Sequence, residues 1–198
     1  MITYSTTPQG SDEWLAERAG LLTASNFKKA IGSGAQRADM LDTMMFQRRT
    51  GTTVSIPKTP AMQWGNDTEP MARAYVEFML DVDIAEVGLA TNSEMPGLGA
   101  SLDGLLPCGK IAIETKCPQG KTHNRYLRQG KLPAEYRQQV YGQMLVCELD
   151  GVWFCSFHPD DDKQLLIYVP RDEAIIAELK TGLDKFLSDL HKLESKNA

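Results

Sequence analysis

Apolar residues along the chain recur first at helical spacing and later at strand spacing. Ser11 followed by "DEWLAERAG" marks a capped short helix, with acids in its first turn and Gly20 at its end. "TASNFKKAIG" predicts a second short helix beginning near Thr23 and stopped by Gly32. "RADMLDTMMFQRRTG" predicts a third, in which Met40, Leu41, Met44 and Met45 fall on one face as core filler. "VSIPKTPAMQWG", carrying Pro57 and Pro60, reads as a loop. A fourth helix is expected from about Thr68 to Leu80, with Pro70 in its first turn. The period then drops to two, and "IAEVGLAT", "GLGASLDGL" and "KIAIETKC" predict strands. After a basic segment, "PAEYRQQVYGQMLVCEL" predicts a helix opened by Pro133. "GVWFCSFH" and "QLLIYV" predict two more strands, and residues 171–194 a closing amphipathic helix. No repeat or low-complexity linker interrupts this order. It describes an α/β (α+β) fold, a mixed sheet with helices packed on it, in one domain over residues 1–198.

Composition narrows the class. With 198 residues, 42% hydrophobic and 24% charged, the chain can bury a proper core as an ordinary globular protein. No apolar run is long enough to cross a bilayer, and "MITYSTTPQG" lacks the basic start and apolar core of a signal peptide. A cytoplasmic protein with no membrane partner is expected. The cysteines form no C-x-x-C pair and have no histidine at zinc spacing; Cys147 and Cys155 lie in apolar stretches and read as small buried hydrophobes. A net charge of −5 argues against indiscriminate binding to nucleic acid. Charge is nonetheless segregated: Lys121, Arg125, Arg128, Lys131 and Arg137 share one segment with a single acid, Glu135.

The strand "KIAIETKC" carries the candidate chemistry. Side chains alternate along a strand, so Ile111, Ile113 and Thr115 face one way and Ala112, Glu114 and Lys116 the other. The α-carbons of Glu114 and Lys116 are about 7 Å apart on that face. Asp103 ends the preceding strand; if the two strands are neighbours, Asp103 and Glu114 converge with Lys116 beside them. Two partly buried carboxylates repel each other and call for a cation. Mg²⁺ answers that need, since it takes oxygen ligands and usually one or two carboxylates plus substrate phosphate. Lys116 is then free to hold or deprotonate a water, the outline of a phosphodiester-hydrolysis site. Blander readings stand beside this one. Asp103–Gly104 is also a hairpin-turn signal, and Glu-x-Lys also occurs on solvated faces with a weak ion pair.

A second candidate lies near the start. Arg18 precedes a short helix whose beginning carries Thr23 and Ser25, a combination suited to a phosphate group. The alternative is that Arg18 pairs with Asp12 or Glu17 at the surface. Arg37, in the loop expected after "GSGAQ", is a further candidate for phosphate contact.

Asp103, ten residues, then Glu114-Thr115-Lys116 is similar to the PD-(D/E)xK nuclease signature. "QGSDEWLAERAGLLTAS", "WGNDTEP", "SLDGL", "IETKCP", "EYRQQVYGQM" and "WFCSFHPD" together resemble the lambda-type phage exonucleases, also called alkaline exonucleases or viral recombinases, over nearly the whole chain. The resemblance implies a restriction-endonuclease-like core and a Mg²⁺ site, with Mn²⁺ as a substitute. Asp103, Glu114 and the carbonyl of Thr115 would be its ligands, and Lys116 would activate the attacking water. Glu69 would be a helix carboxylate near the metal, with a favourable acid at a helix N-terminus as its alternative. Gln139 would lie beside the active centre, while Gln143, one turn on, faces either the site or solvent. Arg18 and Ser25 would hold the 5′-phosphate of a DNA end.

The implied activity is 5′-to-3′ digestion of one strand of linear double-stranded DNA, leaving 3′ overhangs for a single-strand annealing protein. The resemblance also implies a homotrimeric ring around the DNA, and a phage or prophage origin in a bacterial host. The rival readings are another PD-(D/E)xK endonuclease and a non-catalytic module that binds DNA ends.

Overall fold

A computed structural model of the chain describes residues 1–53 and 59–196. Its strands form two four-stranded sheets. The first runs β1 (Ile2–Tyr4), β3 (Leu89–Asn92), β4 (Leu98–Ser101), β2 (Leu22–Thr23), with β2 parallel to β4 and the other pairs antiparallel. The second runs β5 (Gly104–Leu105), β6 (Ile111–Lys116), β7 (Gly151–Ser156), β8 (Leu165–Pro170), with β6 parallel to β7 and the outer pairs antiparallel. The helices are α1 (Asp12–Arg18), α2 (Phe27–Ile31) after a 3-10 turn at Ala24–Asn26, α3 (Ala35–Thr50), α4 (Pro60–Leu80), α5 (Gly120–Gln129), α6 (Arg137–Cys147) and α7 (Glu173–Lys196). Mixed sheets with packed helices are the architecture the periodicity implied, although divided between two sheets.

Both faces of the second sheet are covered, which is why β6 opens on three successive apolar residues, Ile111, Ala112 and Ile113. Ala112, Val152 and Phe154 belong to the larger core, which α6 and α7 complete with Val140, Met144, Leu183 and Phe186. Ile113 and Cys155 point the other way, against Ala72 and Val76 of α4. Cys147 and Cys155 are buried free thiols, as their apolar surroundings suggested, and burial pushes both up to about 12. Among the described residues no helix is long and apolar enough to cross a membrane.

Several elements differ from their local reading. The expected loop "VSIPKTPAMQWG" is helical from Pro60 onward, while Pro57 lies outside the described residues. Thr59 caps α4 by accepting a hydrogen bond from the Met62 N–H at 3.2 Å, and Pro60 takes the first helical position. Pro70 therefore sits inside the helix rather than in its first turn. The basic segment conceals α5, whose buried residues are only His123 and Tyr126, too few to show a period. The helix expected from Pro133 begins at Arg137, after a turn closed by the Tyr136 N–H donating to the Pro133 carbonyl at 3.0 Å. Strands β1 and β2 are too short to alternate visibly. The N-terminal cap is as expected: Ser11 accepts from the Trp14 N–H at 3.2 Å.

Helix α6 packs close to the segment that carries Thr23 and Ser25. A Cβ at Gly142 would lie 2.5 Å from Phe27 Cδ2 and 3.2 Å from the Ala24 Cβ. Gly142→Ala is therefore expected to cost about 2 kcal/mol through overpacking. Urea unfolding would show it as a lower midpoint at an unchanged slope.

Candidate active site

The chain passes from the first sheet to the second between Ser101 and Gly104, and Asp103 sits at this crossing. Asp103–Gly104 is not a hairpin turn. That turn comes later, where the Gly109 N–H donates to the Leu106 carbonyl at 2.8 Å. Asp103 Oδ2 instead accepts from the Thr115 backbone N–H at 2.7 Å and from its hydroxyl at 3.1 Å. A residue's N–H and C=O leave a strand at the same edge, so the Thr115 carbonyl also faces the Asp103 side. The next carbonyl, of Lys116, points to the opposite edge and accepts from the Phe157 N–H at 2.9 Å.

Glu114 is 0% exposed, so the solvated-face reading of Glu-x-Lys does not hold. Its Oε1 pairs with the Lys116 ammonium and accepts from Gln139 Nε2 at 2.6 Å; its Oε2 accepts from Gln143 Nε2 at 2.5 Å. Gln139 and Gln143 lie one turn apart on α6 and both reach the carboxylate. The solvent-facing alternative for Gln143 is thus overturned, since that residue is fully buried. Gln138 instead lines a separate hollow with Ile31, Tyr141 and Ile175. The Lys116 ammonium lies 5.3 Å from the centre of the Tyr136 ring.

The charges here are incompletely balanced. Burial raises the pKa of Glu114 and Asp103 raises it further, while Lys116 and Gln143 only partly oppose them. Burial alone would lower Lys116, but Glu114 and Asp103 more than offset this and hold the ammonium protonated. Glu69 is shifted upward by burial and by Asp103, against Arg73 and Lys116. It lies in the middle of α4, so the reading as an N-terminal helix acid is corrected. A cleft of about 470 Å³ opens at the carboxyl end of β6, lined by Asn66, Glu69, Thr115, Lys116, Tyr136 and Gln139 among others. Among the described residues, no three His, Cys, Asp or Glu side chains are already gathered as a metal-binding group.

The second candidate cluster adjoins this one. Arg18 donates to the Ser101 hydroxyl at 3.0 Å and to the Thr23 hydroxyl at 3.1 Å, and the Thr23 and Ser25 hydroxyls are 3.3 Å apart. The guanidinium lies 4.1 Å from the centre of the Trp14 ring, and burial lowers its pKa. Glu17 accepts from Thr7 at 2.5 Å instead, and no ion pair among the described residues engages Arg18. Arg37 is not in a loop: it lies in the first turn of α3 and pairs with Asp189 of α7 at 2.8 Å, apart from the Arg18 cluster. Ser101, Trp14 and Tyr136 escaped the sequence reading. Only proximity to a motif distinguished them, with Ser101 two positions before Asp103.

A family model for the YqaJ-like viral recombinase domain matches residues 13–150. The chain is similar to an alkaline exonuclease, LHK-Exo, from Laribacter hongkongensis: 34% identical, TM-score 0.87, covering 94% of this chain and 95% of that one. The structure of LHK-Exo in complex with dAMP superposes with a TM-score of 0.88 at 34% identity, over 94% of this chain and 95% of that one. A phage-related exonuclease from Haemophilus somnus, 15% identical, shares the fold with a TM-score of 0.68 over 90% of this chain and 96% of that one. Curated protein sequences give no match.

Proposed function

Since the chain belongs to the YqaJ-like viral recombinase family, we propose that it is a metal-dependent 5′-to-3′ exonuclease acting on one strand of linear duplex DNA. One observation carries this reading. At the end of β6, Asp103 accepts from the Thr115 N–H and the buried Glu114 pairs with Lys116, while Thr115, Lys116 and Glu69 line the adjoining cleft.

The donor set fits a hard divalent cation. It consists of oxygen only: the Asp103 and Glu114 carboxylates, the Thr115 carbonyl on the same edge, and Glu69 at the cleft wall. Burial first, and the Asp103 carboxylate second, raise Glu114 and Glu69 by more than the neighbouring cations offset, so a bound cation would stabilise both as carboxylates. Mg²⁺ suits such a set, and Mn²⁺ is expected to substitute. When bound, the ion supplies charge neutralisation at the scissile phosphate. The chain's own groups do the rest. Lys116, kept protonated beside Glu114, holds the attacking water in line. Gln139 fixes the orientation of the Glu114 carboxylate.

Arg18, Thr23 and Ser25 form the pocket for the 5′-phosphate of the DNA end. Its support is a half-buried guanidinium with only hydroxyl hydrogen-bond partners, beside the hydrolytic centre. That a relative was crystallised with dAMP agrees with a site for a 5′-mononucleotide. Arg37, tied to Asp189, is left out of the pocket. Lys121, Arg128 and Lys131, exposed on and after α5, track the DNA backbone without reading its sequence. A homotrimeric ring would let a chain of net charge −5 enclose DNA with basic inner surfaces. The 3′ overhangs would pass to a single-strand annealing protein in the cytoplasm of a phage-bearing host.

The test is digestion of linear duplex labelled at one terminus, with Mg²⁺ and with a chelator. Early release of 5′ label as mononucleotide, retention of 3′ label and an intact closed plasmid are expected. Cleavage of the closed plasmid would replace this reading with an endonuclease. Binding to ends without release, in Mg²⁺ and in Mn²⁺, would leave only an end-binding module.

A further inference from the structure

The two clusters meet in one residue, Ser101, and one buried amide connects that residue to Glu114. Gln143 is 0% exposed, and its single Nε2 donates to Glu114 Oε2 at 2.5 Å and to the Ser101 carbonyl at 3.1 Å. Arg18 donates to the hydroxyl of the same serine at 3.0 Å. A path of three hydrogen bonds therefore runs from the guanidinium, through both ends of Ser101, to the carboxylate. We propose that Gln143 is a positioning residue that couples occupancy of the end-binding pocket to the placement of Glu114. This inference rests on the exonuclease reading, with Arg18 as the phosphate group's partner.

The chemistry of the amide is specific to the task. Both of its partners are pure acceptors, so the bridging atom must carry at least two N–H groups, which a primary amide supplies. A glutamate would set carboxylate against carboxylate. A methionine of similar length would fill the space and donate nothing. The amide is also held in place, because Gly142 brings α6 against Phe27 and Ala24, immediately beside Thr23 and Ser25. Ser101 ends β4, at the point where the chain leaves the first sheet for Asp103. When Arg18 turns from the Ser101 hydroxyl to a DNA phosphate, the serine loses its arginine anchor. Gln143 carries that change to Glu114, since it grips the serine's main chain and the carboxylate with one nitrogen.

A packing role alone would lower stability without changing how the enzyme tells one DNA end from another. The deciding quantity is therefore the ratio of rates on 5′-phosphate and 5′-hydroxyl duplex ends. Gln143→Met is expected to lower kcat about tenfold with KM unchanged, and to shrink that ratio at least threefold. Calorimetry with Mn²⁺ alone should show weaker binding, because the carboxylate is no longer fixed. Gln143→Asn keeps the amide but shortens its reach, and should also shrink the ratio. A third measurement needs no variant. In the unmodified protein, the Gln143 side-chain amide resonance should move on adding a 5′-phosphorylated duplex without metal, and stay still with a 5′-hydroxyl one.

An unchanged ratio in either folded variant, or an amide resonance indifferent to the 5′-phosphate, overturns the coupling. If the unmodified enzyme itself does not distinguish the two ends, the pocket reading fails. If it does distinguish them and the variants keep the distinction, only the coupling fails.

Discussion

Lys116→Met will reduce turnover on linear duplex DNA by about a thousandfold, within the range that losing one preorganised charged donor costs. The ammonium is the one cation within ion-pairing distance of Glu114 among the described residues, and the Tyr136 ring lies under it. Methionine preserves the stem and its packing while removing the charge and all three donors. The attacking water then loses its holder, and Glu114 keeps only its two glutamines. Affinity for a 5′-phosphorylated end should stay within a few-fold, since Arg18, Thr23 and Ser25 are untouched. Single-turnover digestion at saturating enzyme, alongside end binding by anisotropy, separates the two effects. A rate within tenfold of the unmodified enzyme would remove Lys116 from the chemistry.

Arg18→Ala should remove about 100-fold of the rate advantage that a 5′-phosphate end holds over a 5′-hydroxyl end. Charge-assisted hydrogen bonds contribute roughly 1.5–3 kcal/mol each, and a guanidinium can place two on one phosphate. Arg18 is already half-buried over Trp14 and held by two hydroxyls, so little ordering is needed when the phosphate arrives. Arg18→Lys should recover only part of the loss, as a point charge cannot reproduce the fork. The measurement is kcat/KM on the two ends for each variant. Equal losses on both would show that Arg18 merely braces Ser101 and Thr23.

The residues that were legible in advance share one property: their relationships are local in sequence. Glu114 and Lys116 share a face because a strand repeats every two residues, and Asp103 lies one short hairpin away. Ser11 announced its cap because the donor is three residues on. Proline misled where two positions competed. Pro70 looked like a helix start, yet Thr59 and Pro60 had already begun α4, and this moved Glu69 from a helix end to the cleft wall.

Local patterns were enough for the mixed α/β class, for the strand bearing Glu114 and Lys116 with Asp103 upstream, and for the family resemblance. Each of these is written in patterns a few residues long or in short contiguous motifs. The folded chain alone shows that Gln143 joins Gln139 at Glu114, that Ser101 lies between the arginine and the carboxylate, and that Arg37 belongs to Asp189. Gln143 and Glu114 are 29 residues apart and Arg37 and Asp189 are 152 apart. Which partners meet over such separations depends on how α6 seats on Phe27 and how α7 closes over α3. That seating is fixed by side-chain volume in the core, which no local period encodes.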